Sequence, residues 1–366
     1  MKMLTLTGSP REMGRAFGES ERSGIREFFA LRVANAIAQA AKYGGQEVAP
    51  GGVIDVARRC IAPTRAHDPA GFEELTGIAE GAGMEVEQIV ALNGLTDIRD
   101  VLSWPGQLDA FGGCTSFIAQ GDVTADGRVL VGQTWDLASD NMPFVMGVHR
   151  VPADGPETWC LTTAGCLSLI GLNSEGLAVG TTNIRTTDAR PGVTYLSLIH
   201  KALSSRTLDA ASAAITEALR AGGHYYYLAD GGGRALAIEC SARSHTLTEV
   251  TSGYFNHTNH CRVDGNVAIE GAAPSSTSLA RLSRIDALLG DGAGRFDVAA
   301  ARAALGDDAN GSDAIRRVDF DGISTNGAVI MSPERGHIEA CHGLPDSNPW
   351  FDLKALAADA GARPLA

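Results

Sequence analysis

The sequence contains no apolar run approaching the roughly 18 residues that a membrane-spanning helix needs, so no membrane partner is expected. Positive charge is also in short supply: 30 Lys and Arg stand against 43 Asp and Glu, for a formal net charge of −13. Nucleic acids and anionic lipid surfaces are gripped by Lys/Arg-rich faces, and this balance argues against both. The opening MKMLTLTGSPREMG has no apolar core segment and does not read as a secretory signal. Cysteines are few and irregularly spaced. Cys60, Cys114, Cys160, Cys166, Cys240, Cys261 and Cys341 form an odd set, which suits reduced thiols in a cytoplasmic protein better than a disulfide framework. There is no internal repeat, no low-complexity tract and no G-x-S-x-G to support a serine nucleophile.

The 366 residues are enough for one large layered domain, and the 44% hydrophobic content is ordinary for a globular chain. Up to about residue 102 the pattern is helical. Ser9-Pro10-Arg11-Glu12 forms a capping box with Pro at the first helical position, followed by Met13, Phe17, Ile25, Phe28 and Phe29 at helical spacing. Asp68-Pro69 opens another helix, carrying Phe72, Leu75 and Ile78, and Val86 to Leu102 reads as a third. The breaker cluster Ser103-Trp104-Pro105-Gly106 marks the one internal boundary.

Beyond it the pattern turns to strands. CTSFIAQGDV and RVLVGQTWDL, joined at Asp126-Gly127, read as a β-hairpin. Further strands are expected near 147–151, 158–163, 167–172 and 177–182, then helices near 195–204 and 208–221. Strands follow at 225–229, 234–239 and 247–250, helices at 276–289 and 296–305, and a last strand pair at 326–331 and 337–341. Strands, a helix pair and strands again imply an α+β fold with helices covering the outer faces of stacked sheets.

Three stretches bear on chemistry. The first is Phe111-Gly112-Gly113-Cys114-Thr115-Ser116-Phe117, at the change from helices to strands. A lone cysteine in an apolar strand is most often a small buried hydrophobe. Here a glycine pair leaves the preceding carbonyl unshielded, and the Thr115 and Ser116 hydroxyls sit beside the thiol. The second is Gly132-Gln133-Thr134-Trp135-Asp136 on the partner strand. A hairpin can bring Asp136 toward the cysteine, where a carboxylate can hold an ammonium group; a plain strand-end cap is the alternative. The third is Asn256-His257-Thr258-Asn259-His260-Cys261. No second Cys/His cluster stands at zinc-site spacing, so no metal and no other cofactor is expected. An Asn side chain is a neutral donor suited to a developing oxyanion, and Asn259 is the candidate for that role; an Asn bonding loop backbone is the alternative. Gly77 to Gly83 is glycine-rich but follows no strand and is not a dinucleotide fingerprint.

Taken together these stretches resemble the penicillin acyltransferase family, the acyl-CoA:6-aminopenicillanic acid acyltransferases and their bacterial relatives among the cysteine N-terminal nucleophile (Ntn) hydrolases. GSPREMGRAFGE is similar to that family's opening, ELTGIAEGAGMEVEQIVALNGLTDI to its helical pro-segment, GGCTSF to its processing site, GQTWD to its G-Q-N-W-D strand, and HTNH to its H-T-N-H motif. The resemblance implies a four-layer αββα Ntn-hydrolase sandwich behind an N-terminal helical pro-segment, residues 1–113, with a catalytic region at 114–366. It implies cleavage of the Gly113–Cys114 bond by Cys114, which then serves as the nucleophile, with Asp136 on the freed amine and Asn259 donating to the oxyanion. Asn183 is similar to a second oxyanion-hole asparagine of the related bile-salt hydrolases. A late arginine is expected near Ile315-Arg316-Arg317, with Arg316 favoured. Thr134 stands where the family has Asn, and Ser116 where the penicillin enzyme has Thr.

The expected function is a self-processing N-terminal-cysteine amidohydrolase that cleaves a linear amide of an N-acyl compound through a Cys114 thioester. Two readings stay beside it: an acyltransferase that passes the acyl group to an amine, and an unprocessed, non-catalytic relative. The expected partners are a small amide or acyl substrate and the cleaved pro-segment, held as an α/β heterodimer, with higher oligomerisation left open.

Overall fold

The first helix is explained by local chemistry. In the computed structural model, which describes residues 1–44, 47–102, 113–271, 273–320 and 322–361, the expected capping box forms. Ser9 accepts from the Glu12 N–H, and the Glu12 carboxylate accepts from the Ser9 N–H at 2.9 Å, starting helix Pro10–Ser20. Helices Arg22–Gly44, Pro50–His67, Pro69–Ala82 and Val86–Leu102 follow. Asp68 caps helix Pro69–Ala82, its carboxylate accepting from the Gly71 N–H at 3.1 Å. The glycines flagged in sequence serve helix packing. A Cβ at Gly14 would lie 2.1 Å from the Glu74 carbonyl oxygen, and one at Gly77 would lie 2.2 Å from that of Arg11. The two backbones therefore touch, as only glycine permits.

Two sheets form the centre. The eight-stranded sheet runs in the order Met3–Gly8, Val145–Pro152, Thr158–Thr163, Ile170–Asn173, Ala178–Asn183, His224–Ala229, Ala235–Cys240, His245–Val250. The six-stranded sheet runs Gly253–His257, Ser116–Gln120, Leu130–Ala138, Ile323–Ser332, His337–His342, Trp350–Asp352. The sheets face each other through Ile323–Ser332 against Ile170–Asn173 and Leu130–Ala138 against Ala178–Asn183. Helices Tyr195–Leu203 and Leu208–Thr216 cover the outside of the larger sheet, while Ser276–Asp291 and Val298–Leu305 cover the smaller. The four expected layers are present.

Strand alternation separates two cores. Ile118, Val131, Val329 and Met331 point into the space between the sheets. Their neighbours Phe117, Leu130, Ala328 and Ile330 point the other way, onto Ile285, Leu289 and Leu305 of the outer helices. Both faces of these strands are buried, which is why they read as continuous apolar runs.

The structure adds elements that the pattern did not reveal. Met3–Gly8 is a strand and pairs in parallel with Val145–Pro152, so the N-terminal segment is not purely helical. Helix Pro50–His67 fills a stretch left unassigned, and Gly253–His257 is the edge strand that delivers the HTNH motif. The Ser103–Gly106 breaker, and Phe111 and Gly112 of the glycine-cysteine stretch, lie outside the described residues.

Candidate active site

The hairpin register brings the predicted residues together. Ser116 pairs with Gln133 and Phe117 with Gly132, and the same register continues to an isolated bridge between Gly113 and Asp136. Asp136 thus sits directly opposite the residue before Cys114, and its carbonyl accepts from the Gly113 N–H at 3.2 Å. On its other side a bulge in strand Ile323–Ser332, between Thr325 and Gly327, sets Thr325 against Asp136. The Thr325 hydroxyl donates to Asp136 Oδ1 at 2.7 Å and the Thr134 hydroxyl to Oδ2 at 3.4 Å.

Cys114 is held at both ends of its residue. Its N–H donates to Asn259 Oδ1 at 2.8 Å, and its carbonyl accepts from Arg281 Nη1 at 2.6 Å. Arg281 also donates to Asn259 Oδ1 at 2.9 Å and to the Thr115 hydroxyl at 3.1 Å. With two donors aimed at one end of the Asn259 amide, that end must be the oxygen. The Asn259 nitrogen then donates one of its hydrogens to the Asn183 carbonyl at 2.9 Å. The Asn183 Oδ1 is buried without a partner. Ser116 donates to the His257 carbonyl at 3.2 Å and stays in the sheet rather than at the thiol.

Gly113 is wedged. A Cβ there would stand 3.0 Å from Asp136 Oδ2, 3.0 Å from Arg317 Cδ and 3.3 Å from Arg281 Cζ. Two arginines and one carboxylate therefore close around the Gly113–Cys114 peptide without a direct ion pair among the described contacts. Burial dominates the electrostatics. It pushes the Cys114 thiol up to about 12, helped by the Asp136 charge, so the thiol is protonated at neutral pH. Burial also raises Asp136 to about 6, opposed by Arg281, Thr325, Arg317 and Thr134. Arg281 is brought down to about 10, again chiefly by burial.

The favoured late arginine is placed elsewhere. Arg316 faces away, pairing with Asp308 at 2.6 Å and Asp346 at 3.4 Å. Arg317 turns inward to Thr277 and Gly113, and its N–H donates to the Thr325 hydroxyl at 3.0 Å. The two neighbours face different partners, so a one-residue change in registry exchanges the Asp308/Asp346 pair for the site. Arg281 was not anticipated. Its signal was available: it lies on the buried stripe Ser278, Arg281, Ile285, Leu289 of helix Ser276–Asp291, where a charge has no reason to be without a partner.

His257 and His260, the residues that raised the metal question, are committed to hydrogen bonds. His257 bonds Glu239 at 3.1 Å and Thr182 at 3.0 Å, and His260 bonds Ser278 at 2.8 Å. Among the described residues no group of three or more His, Cys, Asp or Glu is arranged to hold a metal ion. No described helix is long and apolar enough to cross a membrane.

A pocket opens beside the thiol. Trp135, Leu137, Leu169 and Tyr195 give it apolar walls, and Thr96 and Arg99 of helix Val86–Leu102 close one side. His224 lines it as well, held by Asp97 at 2.9 Å. This shape and lining suit an apolar group presented to Cys114.

The family model described as acyl-coenzyme A:6-aminopenicillanic acid acyl-transferase matches residues 123–337, beginning after the cysteine strand. The acyl-coenzyme A:6-aminopenicillanic-acid-acyltransferase 40 kDa form of Emericella nidulans is 25% identical over 291 residues, covering 79% of this chain and 77% of that protein. An uncharacterized protein of Archaeoglobus fulgidus is 23% identical over 214 residues, covering 54% of this chain and 35% of its own. Among solved structures, a variant of conjugated bile acid hydrolase from Clostridium perfringens aligns with a TM-score of 0.45 at 12% identity, over 66% of this chain and 93% of its own. Penicillin V acylase from Agrobacterium tumefaciens aligns with a TM-score of 0.39 at 13% identity, over 67% and 87%.

Proposed function

The chain belongs to the acyl-coenzyme A:6-aminopenicillanic acid acyl-transferase family, and on that footing we propose that it cuts its own Gly113–Cys114 bond and then works as an N-terminal-cysteine amidohydrolase. The observation that carries the reading is the seating of that peptide: Cys114 is fixed at its N–H by Asn259 and at its carbonyl by Arg281, with the Asp136 carboxylate against Gly113. A core cysteine needs none of this.

In the precursor the Cys114 thiol attacks the Gly113 carbonyl carbon. Because burial keeps the thiol protonated, the attack needs a base, and Asp136, poised near neutrality, is the group beside it. The new C–S bond forms, the C–N bond breaks, and the proton passes to the departing nitrogen, which becomes the α-amine of Cys114. Water then hydrolyses the thioester. The products are a 113-residue segment and a 253-residue chain (366 less 113).

In the mature site the α-amine, with an ordinary pKa of about 7.7–8.0, takes over as base for the thiol. Asp136 and the Asn259 oxygen stand where they can hold it. An N-acyl substrate places its acyl group against Trp135, Leu137 and Leu169, and attack creates an oxyanion. The second N–H of Asn259 and the Asn183 backbone N–H, which faces the Cys114 thiol, are the donors assigned to it. The resulting thioester yields to water, which defines an amidohydrolase; the acyltransferase of Emericella nidulans is the relative that favours an amine acceptor as the second reading.

Intact-mass measurement of purified protein tests the first half. Wild type should give two fragments and Cys114→Ala only the full-length chain; a full-length wild type would leave the unprocessed relative as the correct reading. A turnover screen across N-acyl amino acids, N-acyl amines, N-acyl homoserine lactones and β-lactams, with water or an acyl-CoA as second partner, tests the other half.

A further inference from the structure

At one edge of the larger sheet lies strand His245–Val250, paired on one side with Ala235–Cys240 and open on the other. Its first five residues, His245 to Glu249, are all exposed, Leu247 by 43%. The other sheet edges are packed or short. Met3–Gly8 carries helix Leu353–Gly361, Gly253–His257 carries helix Ser276–Asp291, and Trp350–Asp352 is three residues long. Open edges are usually blunted by lysine, proline, a bulge or a covering element. Among the described residues His245–Val250 shows none of these.

The phase of the ladder tells which backbone groups are free. At the turn the Ser241 N–H donates to the Ser244 carbonyl at 2.9 Å, so His245 and Cys240 form a non-hydrogen-bonded pair and Thr246 and Glu239 exchange the next bonds. Thr246, Thr248 and Val250 therefore turn their N–H and C=O inward, while His245, Leu247 and Glu249 turn theirs outward. A second copy of this strand, laid antiparallel about Leu247, meets the edge in phase. His245 then faces Glu249, Leu247 faces Leu247, and each outward donor stands opposite an outward acceptor. A shift by one residue sets outward groups against inward ones, and a shift by two puts Leu247 opposite a polar residue.

The side chains agree with that register. It places a basic ring opposite a carboxylate at both ends. Arg234 holds Glu249 through Oε1 at 3.0 Å, which leaves Oε2 to accept from the imidazole of the facing copy. Three of the six exposed large apolar side chains also gather at this edge. Besides Leu247, there is Leu219, beside Arg220, whose guanidinium donates to the Ser241 and Ser244 carbonyls at 2.9 and 3.0 Å. The third is Val267, beside Asn266, whose Oδ1 accepts from the Ser244 hydroxyl at 3.3 Å.

We propose that strand His245–Val250 is a homodimer contact, through which two copies of the chain pair edge to edge about Leu247 and join their larger sheets. The same patch meets itself across a two-fold axis, so the contact closes at two copies. It uses no residue of the Cys114 site and holds whether or not the chain is cut.

Sedimentation velocity of the full chain over about 1–100 µM tests this, with a dissociation constant on the order of 10 µM expected for so small a contact. Native mass is unaffected by cleavage at Gly113 while the fragments stay together. Leu247→Lys sets two ammonium groups against each other across the axis and should weaken the dimer at least about tenfold. Leu247→Pro removes an outward N–H that the monomer does not use, so it should dissolve the dimer and keep the wild-type melting temperature within a few degrees. Leu247→Lys, at an exposed position, keeps the test open if the proline variant fails to fold. His245→Glu puts carboxylates opposite each other and should weaken the dimer, and adding Glu249→Lys should restore it, which no other contact surface would do. A wild type that stays monomeric at the top of the range would overturn the proposal and leave the edge to an extended segment of a different chain. A dimer unmoved by Leu247→Lys, or a His245→Glu loss that Glu249→Lys does not rescue, would overturn it as well.

Discussion

Substituting Gly113 by Ala asks the most of the site geometry, because it adds one methyl group at the peptide proposed to break. That methyl would stand 3.0 Å from Asp136 Oδ2 and from Arg317 Cδ, several tenths of an ångström inside ordinary van der Waals distance, and 3.3 Å from Arg281 Cζ. None of these neighbours is a loose end. Asp136 is tied to Thr325 and Thr134, and Arg281 to Cys114, Thr115 and Asn259. Overpacking of this kind costs about 1–3 kcal/mol. The strain falls on the carboxylate and the reacting peptide, where displacement by about 1 Å lowers a rate about 10²-fold. Processing in Gly113→Ala should therefore slow by about 10–10²-fold while the protein stays folded. The assay is a time course of precursor loss by intact mass after purification. Once cut, the mutated residue is only the end of the pro-segment, so activity per cleaved molecule should recover toward wild type. Processing at the wild-type rate in a folded Gly113→Ala protein would refute the crowding argument.

Processing rate should rise with pH through about 6 and then level, as Asp136 loses its proton and becomes competent as base; a flat profile from pH 5 to 8 would remove Asp136 from that role. The sign for stability runs the other way. A carboxyl whose folded value is raised above its ordinary 3.8 contributes stability at low pH and loses it as pH climbs through about 6. Asp136→Asn should thus be unprocessed yet melt a few degrees higher than unprocessed Cys114→Ala at pH 8, read by calorimetry. Arg281→Gln removes the charge that most opposes the rise of Asp136, and should move the midpoint of the processing profile upward by about 1 or more, whereas a purely structural loss would lower the plateau alone. Asn259→Ala should reduce turnover of the cleaved enzyme by about 10²–10³-fold with the fold intact, and near wild-type turnover would strike it from the oxyanion site.

Local rules read the chain well wherever local chemistry decides. The Ser9–Glu12 box, the Asp68 cap and the hairpin at Asp126-Gly127 each carry their instruction within a few residues, and each forms. What escaped depends on distant partners. Strand Met3–Gly8 pairs with Val145–Pro152 more than a hundred residues later; its Leu-Thr-Leu-Thr alternation is a strand signal, but nothing in it names that partner. The same limit holds at the site. Cys114, Asp136 and Asn259 stand in motifs and come together, but Thr325 reaches Asp136 through a bulge in a strand whose alternation hides it. Arg316 and Arg317 are adjacent, identical in type, and separable only by which way the backbone turns. Arg281 shows the opposite case, a polar residue on an apolar stripe whose oddity was visible without its partner being named.

Strand Met3–Gly8 has a consequence for the life of the cut protein. A segment that begins as the parallel edge of the larger sheet and continues through helices packed on that body is woven in at several points. If the chain is severed at Gly113–Cys114, unfolding becomes a dissociation, and refolding becomes a second-order meeting of two fragments rather than the collapse of one. The nicked protein then owes its persistence to a slow rate of coming apart, with a melting temperature that falls on dilution. Self-cleavage would make the fold a one-way product, assembled once while the two parts are still a single chain.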